Sequence, residues 1–123
     1  MDLRHLALRR DWEAARVAGA YRISSRDLTL SEVGFVHASL PEQLDGVAKR
    51  IYADVADDLV VLVLDETALN AEGSPVRMEP AHPDDPDSEL YPHIYGPIPL
   101  SAVKEVLPAD FDEEGRFRIL GSA

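Results

Sequence analysis

Residues 3–8 form a first apolar run broken by Arg4 and His5, which predicts a strand. Residues 10–18 follow it, Ala-rich, with Trp12, Ala15 and Ala18 on one side and Gly19 as a stop, predicting a helix of about two and a half turns. Residues 23–33 hold no sustained period and predict a loop with an extended piece. Gly34 then opens a short strand over 34–39, Gly-Phe-Val-His-Ala-Ser. Pro41 suits a first helical position, and Leu44, Val47, Ala48 and Ile51 make an apolar stripe that carries a second helix to Tyr52.

Residues 59–64, Leu-Val-Val-Leu-Val-Leu, are uninterrupted and β-branched, the pattern of a central strand covered on both faces. A turn of helix and a loop are predicted over 66–75, and an alternating strand over 75–79. Residues 80–89 hold three prolines and four acids and predict a mobile surface loop. Residues 91–97, Tyr-Pro-His-Ile-Tyr-Gly-Pro, read as a short extended piece. Strands over 102–107 and 116–120 close the chain, joined by an acidic turn at 110–115. The expected fold is α+β: a single domain over 1–123, with one sheet, split and mixed or antiparallel, and two main helices.

Charge sharpens this outline. The 123 residues carry a formal charge of −11, which disfavours nucleic acid and anionic membrane surfaces as partners. Residues 1–26 hold six arginines against Asp2, Asp11 and Glu13, a net of +3, leaving −14 for residues 27–123. A small anion is therefore still a candidate ligand near the first strand, with Arg22 or Arg26 at its phosphates. The absence of cysteine removes disulfides, thiolate metal sites and a thiol nucleophile. No apolar stretch reaches membrane-spanning length and basic residues interrupt the start, so a cytoplasmic protein is expected.

The common nucleotide-binding and hydrolase motifs are absent, and the candidate chemistry rests on histidines. Strand alternation puts Phe35, His37 and Ser39 on one face, and His93 with Tyr95 on another, opposite Ile94. Imidazoles and phenols converging from several strands would offer hydrogen bonds and stacking surface to a planar ligand. The competing reading is of half-buried polar residues satisfied by backbone carbonyls. His82, in the acidic loop, is assigned to solvent. His5, His37, His93 and Glu79 make a three-His, one-carboxylate set by type, but none of them has metal-edge spacing, and no metal is expected. Ser39 beside a histidine lacks any oxyanion-hole motif.

His5 with Asp11-Trp12-Glu13-Ala14-Ala15, then Gly34-Phe35-Val36-His37-Ala38-Ser39, Glu42-Gln43, residues 59–65, Val76-Arg77-Met78-Glu79 and Tyr91-Pro92-His93-Ile94-Tyr95-Gly96-Pro97, together resemble a bacterial family, domain-of-unknown-function family 952. Members often carry Cys where this chain has Ala38. The resemblance implies an ADP-ribosyltransferase-like fold whose enzymatic relatives hold NAD in a cleft. By that analogy His5 looks like the first-strand His that contacts the adenosine ribose, and residues 34–39 look like the strand that packs on nicotinamide. Leu6-Ala7 follows His5 where those enzymes place a hydroxyl or small residue. The late catalytic Glu has Glu79 as its substitute, an anion suited to oppose positive charge building on a ribose.

The expected site therefore has His37, His93 and Glu79 as its proton-handling or catalytic groups and His5, Phe35, Ser39, Tyr95 and Arg22 as ligand contacts. NAD or another nucleotide-like small molecule is the expected ligand, for an NAD-using or phosphotransferase-like transferase. The alternative is a non-enzymatic ligand-sensing or protein-interaction module. Glutathione transfer, a name attached to some members, finds no support in a chain this short.

Overall fold

A computed structural model describes residues 2–26, 28–82 and 84–120. Position 27 of the expected loop and position 83 of the expected acidic loop lie outside the described residues. The chain runs β1 (Asp2–Leu8), α1 (Arg9–Ala18), β2 (Ala20–Tyr21), β3 (Ile23–Ser25), β4 (Leu28–Thr29), α2 (Leu30–Val33) and β5 (Val36–His37). A helical segment follows, made of a 3-10 turn (Pro41–Gln43), α3 (Leu44–Val47) and a π turn (Ala48–Tyr52). Then come β6 (Leu59–Asp65), α4 (Glu66–Ala71), β7 (Val76–Pro80), β8 (Leu90–Ile94), β9 (Ile98–Pro99), β10 (Val103–Phe111) and β11 (Phe117–Ile119).

The split expected of the sheet is present among the described residues as separate ladders. One sheet has the order β1-β6-β10-β11, a second the order β5-β8-β7, and two short ladders join β2 to β9 and β3 to β4. Every pairing among the described residues is antiparallel, the second of the two forms expected. The two sheets are tied at Ser39, whose backbone exchanges hydrogen bonds of 2.7 and 2.8 Å with Arg4 on the outer edge of β1.

β6 is continuous in its hydrophobicity because both of its faces are covered. Val60, Leu62 and Leu64 join Leu3, Ala7, Trp12, Ala15, Leu69, Val36 and Ile94 in one core, under α1, α4 and the second sheet. Leu59 and Val61 join Leu6, Leu8, Leu44, Ala48 and Tyr52 in the other, under the helical segment. α1 ends as predicted, with Gly19 in the left-handed region at φ 97° and its N–H donating to the Ala15 carbonyl. The acidic turn is shorter than predicted: Asp110 and Phe111 extend β10, Phe111 packs against Phe117 across the hairpin, and Asp110 pairs with Arg118.

Beyond β8 the chain reaches Gly96, where the backbone passes against Ser74. A Cβ at position 96 would stand 2.5 Å from the Ser74 Oγ and 3.1 Å from its Cα. Ser74 cannot swing away freely, being buried and donating its hydroxyl to the Pro97 carbonyl at 2.6 Å. Gly96→Ala is therefore expected to lower stability by about 1–3 kcal/mol, read as a lower urea midpoint with unchanged slope. A midpoint within error of wild type would contradict this packing.

Candidate functional site

The second sheet has two unlike faces. Val36, Pro92 and Ile94 point into the core. In register across the strands, His37 stands beside His93, and His93 beside Arg77, while Tyr91 stands beside Glu79. Period-two alternation puts these side chains on the face away from the core. Above that face lies a cavity of about 440 Å³, within the usual range for small-molecule sites. Its floor is Phe35, His37, His93, Tyr95 and Glu79; Ser24, Ser25, Leu28 and Val33 close one side, and Pro80 and Ala81 the rim.

The floor is bonded together. The Phe35 and His93 rings stack with centroids 3.9 Å apart and 14° between planes. His37 lies 5.3 Å from His93, and Tyr95 lies 5.6 Å from Phe35. The Glu79 Oε1 accepts from the His93 Nδ1–H at 2.8 Å and from the Tyr95 hydroxyl. The Tyr95 bond, ahead of every other cause, holds the Glu79 carboxyl below the usual carboxylate range and in return pushes the Tyr95 phenol up. With Nδ1 bonded to the carboxylate, Nε2 is the His93 ring nitrogen left for a ligand, the arrangement by which a carboxylate orients an imidazole.

His37 is held neutral, at about 4 against an ordinary 6.5, first by burial and then by the electrostatic influence of His93 and Arg50. Its ring makes no hydrogen bond among the described residues, yet none of their fully buried polar side-chain atoms is left without a partner. The His37 nitrogens are therefore not sealed in protein, and the cavity is where they open. Behind His37 a second set of bonds fixes the sheet to the helical segment. Arg50 donates to the Tyr91 hydroxyl at 2.8 Å, and the Gln43 amide spans the Leu40 N–H, the Glu89 carboxylate and the Leu90 carbonyl.

Of the residues expected to meet, Phe35, His37, Glu79, His93 and Tyr95 share the cavity, while His5, Ser39 and Arg22 do not line it. His5 is 2% exposed and lies beneath the second sheet. Its Nδ1–H donates to the His37 carbonyl at 2.6 Å, and its Nε2 accepts from the Tyr21 hydroxyl at 3.0 Å. It holds β1 against β5 and has no lone pair left for a ligand. Ser39 is drawn aside because the chain leaves β5 to bridge Arg4. Arg22 is exposed, and Arg26 is tied to Asp54 at 2.6 Å and to the Ile51 carbonyl. His82 is exposed on the acidic loop.

The wall made by Ser24, Ser25, Leu28 and Val33 was not legible from hydrophobic period, but its segment carried a signal. Thr29-Leu30-Ser31-Glu32 is a capping box: the Thr29 hydroxyl accepts from the Glu32 N–H, the Glu32 carboxylate accepts from the Thr29 N–H, and α2 starts there. Among the described residues no helix is long and apolar enough to cross a membrane.

The family profile described as Protein of unknown function (DUF952) matches residues 6–106. No curated protein matches. The chain is similar to the crystal structure of protein CC0527 from Caulobacter crescentus, with a TM-score of 0.77, 26% identity, and coverage of 96% of this chain and 94% of that one. The solution structure of the same protein gives a TM-score of 0.72 and 26% identity, covering 94% of this chain and 90% of that one.

Proposed function

Since the chain belongs to the family of proteins of unknown function called DUF952, its activity has to be read from the cleft, and we propose that the cleft binds a small molecule with a planar, nucleotide-like part and handles a proton on it through His93 and Glu79. The observation that carries this reading is the Glu79 carboxylate on the cavity floor, bonded at once to the Nδ1–H of His93 and to the Tyr95 hydroxyl. A fixed carboxylate keeps the imidazole in one tautomer with Nε2 as acceptor, and a second, neutral imidazole 5.3 Å away offers a donor or acceptor to the same ligand. Phe35 and Tyr95 supply stacking surface.

NAD is the first candidate ligand, and transfer from it the first candidate reaction, in line with an ADP-ribosyltransferase-like relationship. What supports this is the carboxylate on the cavity floor, where it would oppose positive charge on a ribose. The groups around it differ from the sequence-based expectation. With His5 sealed against Tyr21, hydroxyls for a ribose come from Ser24 and Ser25, which line the cavity. With Arg26 held by Asp54, phosphates stay outside the inner cleft.

Calorimetry with NAD, ADP-ribose and 2′-phosphorylated nucleotides tests the proposal. Binding of at least one is expected, weakened about tenfold or more when His37 and His93 are both replaced by Ala. Folded protein that binds none of them at millimolar ligand would refute the nucleotide reading. Ligand binding that survives the double change would move the site elsewhere. Binding without turnover of any of these ligands would favour the ligand-sensing alternative over an enzyme.

A further inference from the structure

The charge inventory of the cavity goes further than its shape. We infer that the inner cleft selects a compact cation, held between the Glu79 carboxylate and the ring walls, over neutral or anionic groups of the same size. This deepens the ligand-site reading and rests on it.

Among the described residues lining the cavity there is one carboxylate, Glu79, and no lysine or arginine. Its Oε1 is taken by His93 and Tyr95, while Oε2 is bonded to no described group, and the side chain stays 33% exposed. His37 brings no positive charge, because burial keeps it neutral. The remaining floor is aromatic, and ring faces attract cations through their quadrupole while offering nothing to an anion. A phosphate or carboxylate placed there would meet Glu79 with no lysine or arginine among the described lining residues to offset it, an arrangement that costs free energy in a half-buried site.

Outside the lining, the Arg77 guanidinium stands 5.0 Å from the Tyr95 ring centroid. It makes no hydrogen bond or ion pair among the described residues, is exposed, and does not line the cavity. Arg77 shows that a cation already rests on one of these rings. A larger ligand would enter with its cationic group inward and keep any acidic group outside, where Arg77 stands.

The test uses three probes that share a ring and differ in charge: benzylammonium, benzyl alcohol and benzoate, titrated at pH 7.5 and low salt with NMR detection of the histidine rings. The cation is expected to bind about 5–10-fold more tightly than the alcohol, with benzoate the weakest. Glu79→Gln, which keeps an acceptor for His93 and Tyr95 but removes the charge, is expected to bring cation and alcohol to within about twofold. Tyr95→Phe keeps the charge and is expected to keep the preference. Alcohol or benzoate binding as well as the cation, or a preference that survives Glu79→Gln, would overturn the inference and leave the ligand-site reading standing. Silence of all three probes while NAD binds would overturn it as well. Silence of all three together with NAD and its relatives would refute the ligand site itself.

Discussion

Acidification from pH 7 to pH 4 is expected to cost this fold about 3 kcal/mol through His5 alone. Burial holds the His5 imidazole at about 4, against an ordinary 6.5, ahead of the smaller opposing pull of the His37 carbonyl. The unfolded chain takes up its proton as the pH passes 6.5, whereas the native ring refuses it until about 4. Stability from this group is therefore fully present above 6.5 and is lost as the pH falls from there to about 4. His37 is shifted in the same direction, also to about 4, and adds to the loss, though its opening to the cavity lets solvent screen part of the effect. Glu79 extends the decline to lower pH: its carboxyl is held below the ordinary range, so its contribution is present above that range and disappears as the group is protonated.

Urea denaturation at pH 7, 5.5 and 4 measures the slope. His5→Gln separates the sources. Its amide can donate to the His37 carbonyl and accept from Tyr21 without titrating, so the variant is expected to be less stable at pH 7 but to lose about half as much between 7 and 4. A wild-type stability that is flat over this range would show that His5 is not buried as a neutral ring.

The largest expected loss from a single substitution at fixed pH is at Leu62. It is 0% exposed, pairs in register with His5 on β1 and Val106 on β10, and belongs to the core that includes Val36 and Ile94. Leu62→Ala removes buried carbons from the layer shared by the two sheets, and strands covered on both faces leave little room for the cavity to collapse. A loss of about 3–4 kcal/mol is expected. Val17, 91% exposed on α1, is the control, and Val17→Ala should change stability by less than about 0.5 kcal/mol. Similar midpoints for the two variants would contradict the division of the core around β6.

These two sites also show how far the sequence reached. β6 could be read because burial on both faces leaves an uninterrupted apolar run, and Pro41 and Gly19 could be read because each has a backbone geometry suited to one end of a helix. The ladders of β2 with β9 and β3 with β4 could not, since two or three residues are too few to show a period and their partners are set by the rest of the fold. Phe35, His37, His93 and Tyr95 on the cavity floor followed from alternation over residues 35–39 and 93–95, which needs only local backbone geometry, whereas Glu79 on β7 came in as the substitute for the late catalytic Glu that the resemblance implies. The placement of His5 did not follow, because an imidazole pointing into a cleft and one pointing under a sheet look alike in a strand. The difference lies with Tyr21, whose hydroxyl fills the second nitrogen. Arg22 and Arg26 show the same limit: the positive charge of residues 1–26 is real, but Asp54 draws Arg26 away, and Arg22 is left outside the cavity.

The proposed ligand site is the face carrying His37 and His93. It is tested most directly by following the ring nitrogen and carbon-bound proton signals of all four histidines by NMR as NAD, ADP-ribose or benzylammonium is added. Saturable shifts are expected at His37 and His93, with a smaller response at His5 through the His37 carbonyl and none at His82. Shifts confined to His82, or four unmoved histidines with every one of these ligands, would contradict it.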